Sequence, residues 1–386
     1  MTERVLVAPD KFKGTMTAAE VAERVASGLA AGGFTGEVEA LPVADGGEGT
    51  VAAAVAAGFR RVELGVRGPT GKPVTASFAL RDETAVIEAA QACGLSLLDR
   101  GSLAPLTATS RGVGELILTA CRMGAKTIAV GVGGVASTDG GAGLVQALGA
   151  RLTDADGRDL APGGAALATL ETLSLARLRD LSGVDFLLAS DVDNPLLGPS
   201  GAAAVYGPQK GASAADVRLL ETGLARWADV AEAAVAARYP ERPAAEIALA
   251  ASAPGAGAAG GIGFCALLFL GAHPRPGIEL LLELAEFRGH VAGARLVITG
   301  EGSLDAQSLH GKAPVGVARA AAAHDPAIPV VAVAGRCSLS AADLRAAGIA
   351  RAYALGDIEP EIERCLADPG PLLERLGAQI AADWLS

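Results

Sequence analysis

The sequence predicts an α/β protein: a doubly wound, parallel-sheet domain built from both chain ends, with a second α/β domain containing a mixed sheet inserted between them. Three observations predict this. Over the first 60 residues an apolar run, a loop rich in Gly and acid, and a helix follow one another twice. After Arg60 the pattern changes to apolar runs joined by Gly68-Pro69-Thr70-Gly71, which reads as antiparallel strands. From Arg295 the strand–helix alternation returns. The first domain is therefore expected to hold residues 1–65 plus 290–386 and the second 66–289, since 386 residues exceed one ordinary core.

Arg4 to Ala8 is the first strand, followed by the loop Pro9-Asp10-Lys11-Phe12-Lys13-Gly14. Thr17 and Glu20 form a capping box, and Val21, Val25 and Leu29 mark one helix face. Glu37 to Val43 is the next strand and ends in Ala44-Asp45-Gly46-Gly47-Glu48-Gly49, after which Thr50 opens a helix. Val62 to Val66, Val74 to Leu80 and Ala85 to Ala89 are the strands of the changed segment, and Ser110 to Cys121 is a helix. Ile128 to Val132 has the uninterrupted apolar character of a strand buried on both faces. Phe186 to Ala189 is another, ending in Ser190-Asp191-Val192-Asp193-Asn194-Pro195. Ser213 caps a helix to about Arg238, and Phe264 to Leu270 is a shorter one. Leu296 to Thr299, Pro329 to Ala334 and Ala350 to Leu355 complete the strands, with Pro314 and Ser340 opening the helices between them.

Composition narrows the function. Hydrophobic residues make up 51% of the chain and mean hydropathy is +0.38, yet aromatics are only 3%, so helices must pack through Ala and Gly. A net charge of −11 argues against nucleic acid or an anionic membrane as partner. The charge-free stretch 247–273 is broken by Pro254 and repeated glycines and is not read as a membrane span. MTERVLVAPDKF reads as a strand rather than a signal peptide. Five scattered cysteines without a CxxC pair suit reduced core residues of a cytoplasmic protein better than disulfides or zinc.

Four loops that follow strands hold acids among glycines: 44–50, 131–143, 190–195 and 300–305. In 131–143 the glycines at 131, 133, 134, 140, 141 and 143 surround Ser137, Thr138 and Asp139. Glycines that bring backbone N–H groups to a ligand, followed by a helix start, suit a phosphate. A tight turn with Asp139 as helix cap fits the same residues. Asp191 and Asp193 with an amide, ahead of the Gly-flanked Lys210, suit Mg²⁺ and phosphate. A self-capping turn is the other reading. Lysines at 11, 13, 210 and 312 accompany these loops, and carboxylates without a His or Cys cluster favour Mg²⁺ over zinc. The inventory supplies positioning, charge neutralisation and a base, the three needs of phosphoryl transfer. Walker A is missing, since Gly311-Lys312 is followed by Ala313 and preceded by Ala306 where a first Gly belongs. Gly255-Ala-Gly257-Ala-Ala-Gly260 matches GxGxxG without a clear preceding strand. It leaves a nicotinamide-dependent hydroxyacid dehydrogenase as an alternative, and a non-catalytic organic-acid or nucleotide sensor as another.

Six motifs in order resemble the type-1 glycerate kinases: APDKFKGTMTA (8–18), PVADGGEGT (42–50), GVGGVASTDGGAG (131–143), SDVDNPLLGPSGAAAVYGPQKGA (190–212), PGAGAAGGIGF (254–264) and GEGSLDAQSLHGKAP (300–314). The resemblance covers nearly the whole chain. It implies a flavodoxin-like domain with an inserted second domain, and ATP-dependent phosphorylation of D-glycerate, generally at the 2-hydroxyl, with the 3-hydroxyl as the alternative. It implies ATP and Mg²⁺, with D-glycerate as the small-molecule partner; a homodimer is the one assembly considered. Val135, Ser137 and Thr138 stand where the family usually has Ser, Thr and Asn, which leaves phosphate to the backbone there. Lys11 stands where many members have Ser and adds a cation.

The expected site follows. Lys13, Asp45 and Asp191 are catalytic, with Asp191 the preferred base and Asp45 its rival. Asp193 and Asp139 hold Mg²⁺, directly or through water. Lys210 and Lys312 compensate phosphate charge, and Gly133, Gly134, Gly140 and Gly141 expose amides to it. Asp10, Lys11, Glu48 and Asn194 line the site, and Glu301 and Asp305 are anchors or ribose contacts.

Overall fold

A computed structural model describes residues 3–99 and 101–386. In chain order, β1 (Arg4–Pro9), α1 (Ala18–Ala31), β2 (Glu37–Ala40) and α2 (Thr50–Ala56) come first. Next are β3 (Arg60–Arg67), β4 (Pro73–Arg81), β5 (Thr84–Glu88), α3 (Arg111–Arg122), β6 (Thr127–Gly131) and α4 (Ala142–Ala147). They are followed by β7 (Arg151–Thr153), β8 (Thr172–Ser174), β9 (Asp185–Ala189), α5 (Ala214–Arg238), α6 (Ala258–Leu270) and β10 (His273–Arg275). The last group is β11 (Leu296–Leu304), α7 (Ala313–His324), β12 (Val330–Cys337), β13 (Arg351–Ala354) and α8 (Pro369–Trp384), with shorter helices between. The contacts divide the chain into two compact units. Unit 1 holds residues 1–45, 52–59 and 276–386, and unit 2 holds 46–51 and 60–275.

Unit 1 is an α/β layer structure with one all-parallel sheet in the order β13-β12-β11-β1-β2. Renumbered within the unit this is the flavodoxin-like order 2-1-3-4-5, read from the other edge, and it reverses direction between β1 and β11. Alternate residues of a strand face opposite sides. Leu6 and Ala8 accordingly enter one core with Val330, Ala332 and Val317, while Val5 and Val7 enter the other with Val331, Val333 and Leu376. Both faces are covered, which is why these strands read as continuous apolar runs. Removing each such Val or Leu from water stabilises the fold by roughly 1.5–3 kcal/mol.

The helix α1 starts at Thr17, whose hydroxyl accepts from the Glu20 amide while the Glu20 carboxylate accepts from the Thr17 amide. Its buried face is Val21, Ala22, Val25, Gly28 and Leu29, which packs on α8. Gly28 and Gly377 make that packing tight. A Cβ on Gly28 would lie 2.2 Å from the Glu374 carbonyl oxygen, and one on Gly377 2.6 Å from that of Val25. This is how a chain with few aromatics keeps its helices dense.

Two boundaries differ from the sequence expectation. The strand β2 stops at Ala40, yet the backbone stays beside β1, with Leu41 N–H donating to Val7 O and Val43 N–H to Pro9 O, both at 2.9 Å. The strand β11 runs to Leu304 and absorbs Gly300-Glu301-Gly302, because its pairing with β12 continues as far as Leu304 opposite Cys337. Glu301 is therefore a strand residue rather than a loop residue.

Unit 2 has a mixed sheet in the order β10-β9-β6-β5-β4-β3. Its first four strands are mutually parallel, and β5–β4 and β4–β3 are antiparallel. A two-stranded ribbon, β7–β8, stands apart. Trp227, Phe78, Phe186 and Phe264 are the largest fully buried side chains of its core, with Trp227 edge-on to Phe264 at 6.4 Å and stacked on Phe269 at 5.7 Å.

Candidate active site

In unit 1 the acids collect where the strand order reverses. Pro9 pairs with Gly300, and the Asp10 amide still donates to Gly300 O at 2.8 Å, so Asp10, just past the end of β1, lies in step with Glu301 inside β11. Asp10 is 5% exposed. Its Oδ1 accepts from the Lys11 amide at 2.7 Å and faces the Lys11 ammonium at 3.4 Å. Burial pushes the Asp10 carboxyl up to about 6; Lys11 opposes this and the nearby charge of half-buried Asp45 adds to it. Burial also raises the Glu301 carboxyl, against the Ser308 hydroxyl that donates to Oε1 and the Lys312 ammonium 4.0 Å from Oε2. The charges of Asp10 and Asp45 push it further up.

The turn after β11 places these partners. The Asp305 carboxylate accepts from the Gln307 amide at 2.9 Å and the Asp305 amide donates to Ser308 Oγ at 3.1 Å, so Asp305 shapes the turn that delivers Ser308 to Glu301. Lys312 is half-buried at the N-cap of α7. Lys13 is exposed in the tight turn closed by the Phe12 amide donating to Met16 O at 2.9 Å.

In unit 2 the glycines of the 131–143 loop have partners inside the protein. The amides of Gly133, Gly140 and Gly141 donate within the protein, to Gly46 O at 3.2 Å, Gly260 O at 2.9 Å and Asp139 Oδ1 at 3.2 Å. Glycines of this loop also serve close backbone packing: a Cβ on Gly131 would lie 2.5 Å from Gly46 O, and one on Gly133 2.6 Å from Gly47 Cα. Gly134 alone of the four is exposed.

Asp139 is likewise a structural carboxylate. It is 1% exposed, and Oδ2 accepts from the Ser110 amide at 2.8 Å, the Ser110 hydroxyl at 3.0 Å and the Gly143 amide at 3.3 Å. Burial raises its carboxyl and those donors oppose the rise; the turn-and-cap reading describes the geometry. Lys210 is 3% exposed and donates to Ser137 O at 2.6 Å. Burial pushes its ammonium down to about 8, with Cys93 and Asp139 opposing, and its bond to Ser137 O braces the loop from inside. Asn194 is also committed, its Nδ2 donating to Ser200 O at 2.7 Å and its Oδ1 accepting from the Tyr206 hydroxyl at 2.6 Å. Asp191, Asp193 and Glu48 are exposed, the first two on the segment that continues β9.

Glu88, at the end of β5, was not singled out by sequence. It is 1% exposed and accepts from the Gly49 and Val51 amides, both at 3.2 Å, capping the start of α2, and burial raises its carboxyl. The only local signal is an acid closing a buried apolar run. As site residues the fully buried Ser110 and Ser308 were equally silent. The GxGxxG segment follows a 3₁₀ turn at Ala250–Ser252, not a strand, and Ala259, Gly260 and Gly261 are successive left-handed residues. Gly260 is there for contact, since its Cβ would meet Ser137 O at 2.1 Å. The dehydrogenase alternative loses its structural context.

Among the described residues no three His, Cys, Asp or Glu side chains converge as a cation cage, and no helix is long and apolar enough to cross a membrane. All five cysteines are free.

Comparison with known proteins agrees over the whole length. Residues 5–385 match the Glycerate kinase family. A glycerate kinase of Bacillus subtilis (strain 168) is 41% identical over 383 residues, 98% of this chain and 97% of that protein. A glycerate 2-kinase of Escherichia coli (strain K12) is 42% identical over 343 residues, 86% and 85% of the two chains. A crystal structure provisionally called glycerate kinase 2, from Salmonella typhimurium LT2, superposes with a TM-score of 0.81 at 37% identity, covering 99% of this chain and 98% of that one.

Proposed function

The chain belongs to the glycerate kinase family and is an enzyme that phosphorylates glycerate; from that premise we propose that it transfers the γ-phosphoryl group of ATP to the 2-hydroxyl of D-glycerate, giving 2-phospho-D-glycerate and ADP. The observation that carries the chemistry is the gathering of Asp10, Asp45 and Glu301 with Lys11 and Lys312 where the unit 1 sheet reverses order, the place where such sheets bind ligands. The 2-position is favoured by the name of the Escherichia coli relative.

In this reading Lys11, Lys13 and Lys312 answer the charges of the glycerate carboxylate and the transferred phosphoryl group. The exposed Gly134 is the amide assigned to phosphate, and the exposed Glu48 stays among the residues assigned to substrate. The acceptor hydroxyl loses its proton to a carboxylate, for which Asp191 and Asp45 are the candidates the sequence offers. Mg²⁺ is assigned to arrive on the polyphosphate and to meet the exposed Asp193. Such an ion would neutralise charge on the β- and γ-oxygens. Five free cysteines suit a cytoplasmic enzyme. We read the two compact units as the two domains, the first discontinuous.

The test is incubation with ATP, Mg²⁺ and D-glycerate, with ADP followed and the 2- and 3-phosphoglycerates separated. Stoichiometric ADP and 2-phosphoglycerate are expected. Formation of 3-phosphoglycerate alone overturns the regiochemistry, and absence of ADP overturns ATP as donor.

A further inference from the structure

We propose that Asp10 is the proton acceptor for the glycerate hydroxyl, with Glu301 beside it as the positioning residue that keeps the proton on Asp10. This rests on the kinase reading above. The two acids lie one step past the last register pair on neighbouring parallel strands, so they stand roughly 5 Å apart at the backbone and side by side. Both are nearly buried, at 5% and 8% exposure, and Asp45 adds a third carboxylate. Acids so crowded cannot all ionise at ordinary carboxylate values.

Their partners decide where the proton resides. Glu301 has a partner at each oxygen, the Ser308 hydroxyl at Oε1 and the Lys312 ammonium near Oε2. On Asp10, the Lys11 amide and ammonium both meet Oδ1. Negative charge is thus pinned on Glu301, and Oδ2 of Asp10 is the oxygen available to a proton. The charged groups facing Asp10 are Lys11 from its own loop, Asp45 from the segment after β2 and Glu301 from β11; Lys312 reaches Glu301 from the start of α7. An acid lifted to about 6 is still ionised at neutral pH and is a stronger base than an ordinary exposed carboxylate.

The step balances as follows. A lone pair of the glycerate 2-oxygen forms the new bond to the γ-phosphorus. The bond from that phosphorus to the β,γ-bridging oxygen breaks, its electron pair leaving with ADP. The hydroxyl proton passes to Asp10 Oδ2 and returns to water after product release.

The experiment is the pH profile of kcat/KM for the full-length enzyme, wild type against Asp10→Asn, Glu301→Gln and Asp191→Asn, with ADP binding measured on each by calorimetry. Wild type should show an acid limb near pH 6. Asp10→Asn should bind ADP normally, lose roughly 10²–10⁴-fold in kcat and lose that limb. Glu301→Gln removes a neighbouring negative charge, so its limb should move to lower pH by roughly one to two units. Asp191→Asn should keep the limb in place. An Asp10→Asn enzyme within threefold of wild type with the limb intact overturns the proposal, as does an unmoved limb in Glu301→Gln. A wild type that makes no phosphoglycerate refutes the kinase reading itself, and is seen before any variant is compared.

Discussion

Gly28→Ala tests the close helix contact in unit 1, because two effects of known sign oppose each other there. In an open helix interior, replacing Gly by Ala stabilises by about 1 kcal/mol. At Gly28 the new Cβ would lie 2.2 Å from the Glu374 carbonyl oxygen and 2.9 Å from its C and Cα, all backbone atoms that cannot rotate aside. To relieve this, α1 and α8 must part by about 1 Å or more, which costs the buried contacts along the seam a quarter to a half of their attraction. Overpacking of this kind costs about 3 kcal/mol at the upper end of its usual range. The net loss is then about 2 kcal/mol, a fall in Tm of roughly 4–8 °C. The control is Gly289→Ala, in the short helix Phe287–Val291, where a Cβ meets nothing within 4 Å. That variant should gain about 0.5–1 kcal/mol. Thermal and urea unfolding read both. A Gly28→Ala protein as stable as, or more stable than, the Gly289→Ala protein refutes the packing account.

Asp10 links stability to pH. Its folded value, about 6, lies above the unfolded 3.8, so its contribution is greatest below about pH 4 and is lost as pH rises through 6. Asp10→Asn, which cannot ionise, should exceed wild type by up to about 3 kcal/mol above pH 6, with the two urea-unfolding curves meeting near pH 4; a pH-independent gap would contradict this. Ser110→Ala removes the hydroxyl that donates to Asp139 and accepts from the Leu144 amide, each at 3.0 Å. It should lower stability by about 2–4 kcal/mol, because a buried carboxylate and a buried amide each lose a partner; an unchanged urea midpoint would show that Asp139 is held by other means.

What the sequence disclosed was local or periodic. The capping boxes Thr17/Glu20, Ser213/Asp216 and Ser340/Asp343 lie within one helical turn, so their residues alone announce them. The parallel sheet was legible because both faces are covered, leaving unbroken apolar runs. The ribbon β7–β8 passed unnoticed because strands of three residues carry too little pattern, and α8 was not predicted at all. At the site the residue types were legible but their employment was not. Gly133, Gly140 and Gly141 have the composition of a phosphate loop, and what distinguishes packing from binding is the partner opposite. That partner is Gly46 or Gly260, roughly a hundred residues away in sequence, or the Asp139 carboxylate. Asp139 and Lys210 pose the same problem, since burial depends on neighbours that spacing does not reveal.

The placement of β11 between β1 and β12 bears on how the polypeptide is made. Leu6 pairs with Val297, so a ribosome must add some 290 further residues before the first strand meets its neighbour on that side. At about 5–20 residues per second this takes on the order of 15–60 s. Through that interval the emerging chain carries a hydrophobic strand with one side unpaired while the intervening segment folds. Co-translational protection of those first forty residues is therefore a demand of the topology, and sequestering them by a chaperone should raise the yield of soluble enzyme more than shielding any later stretch.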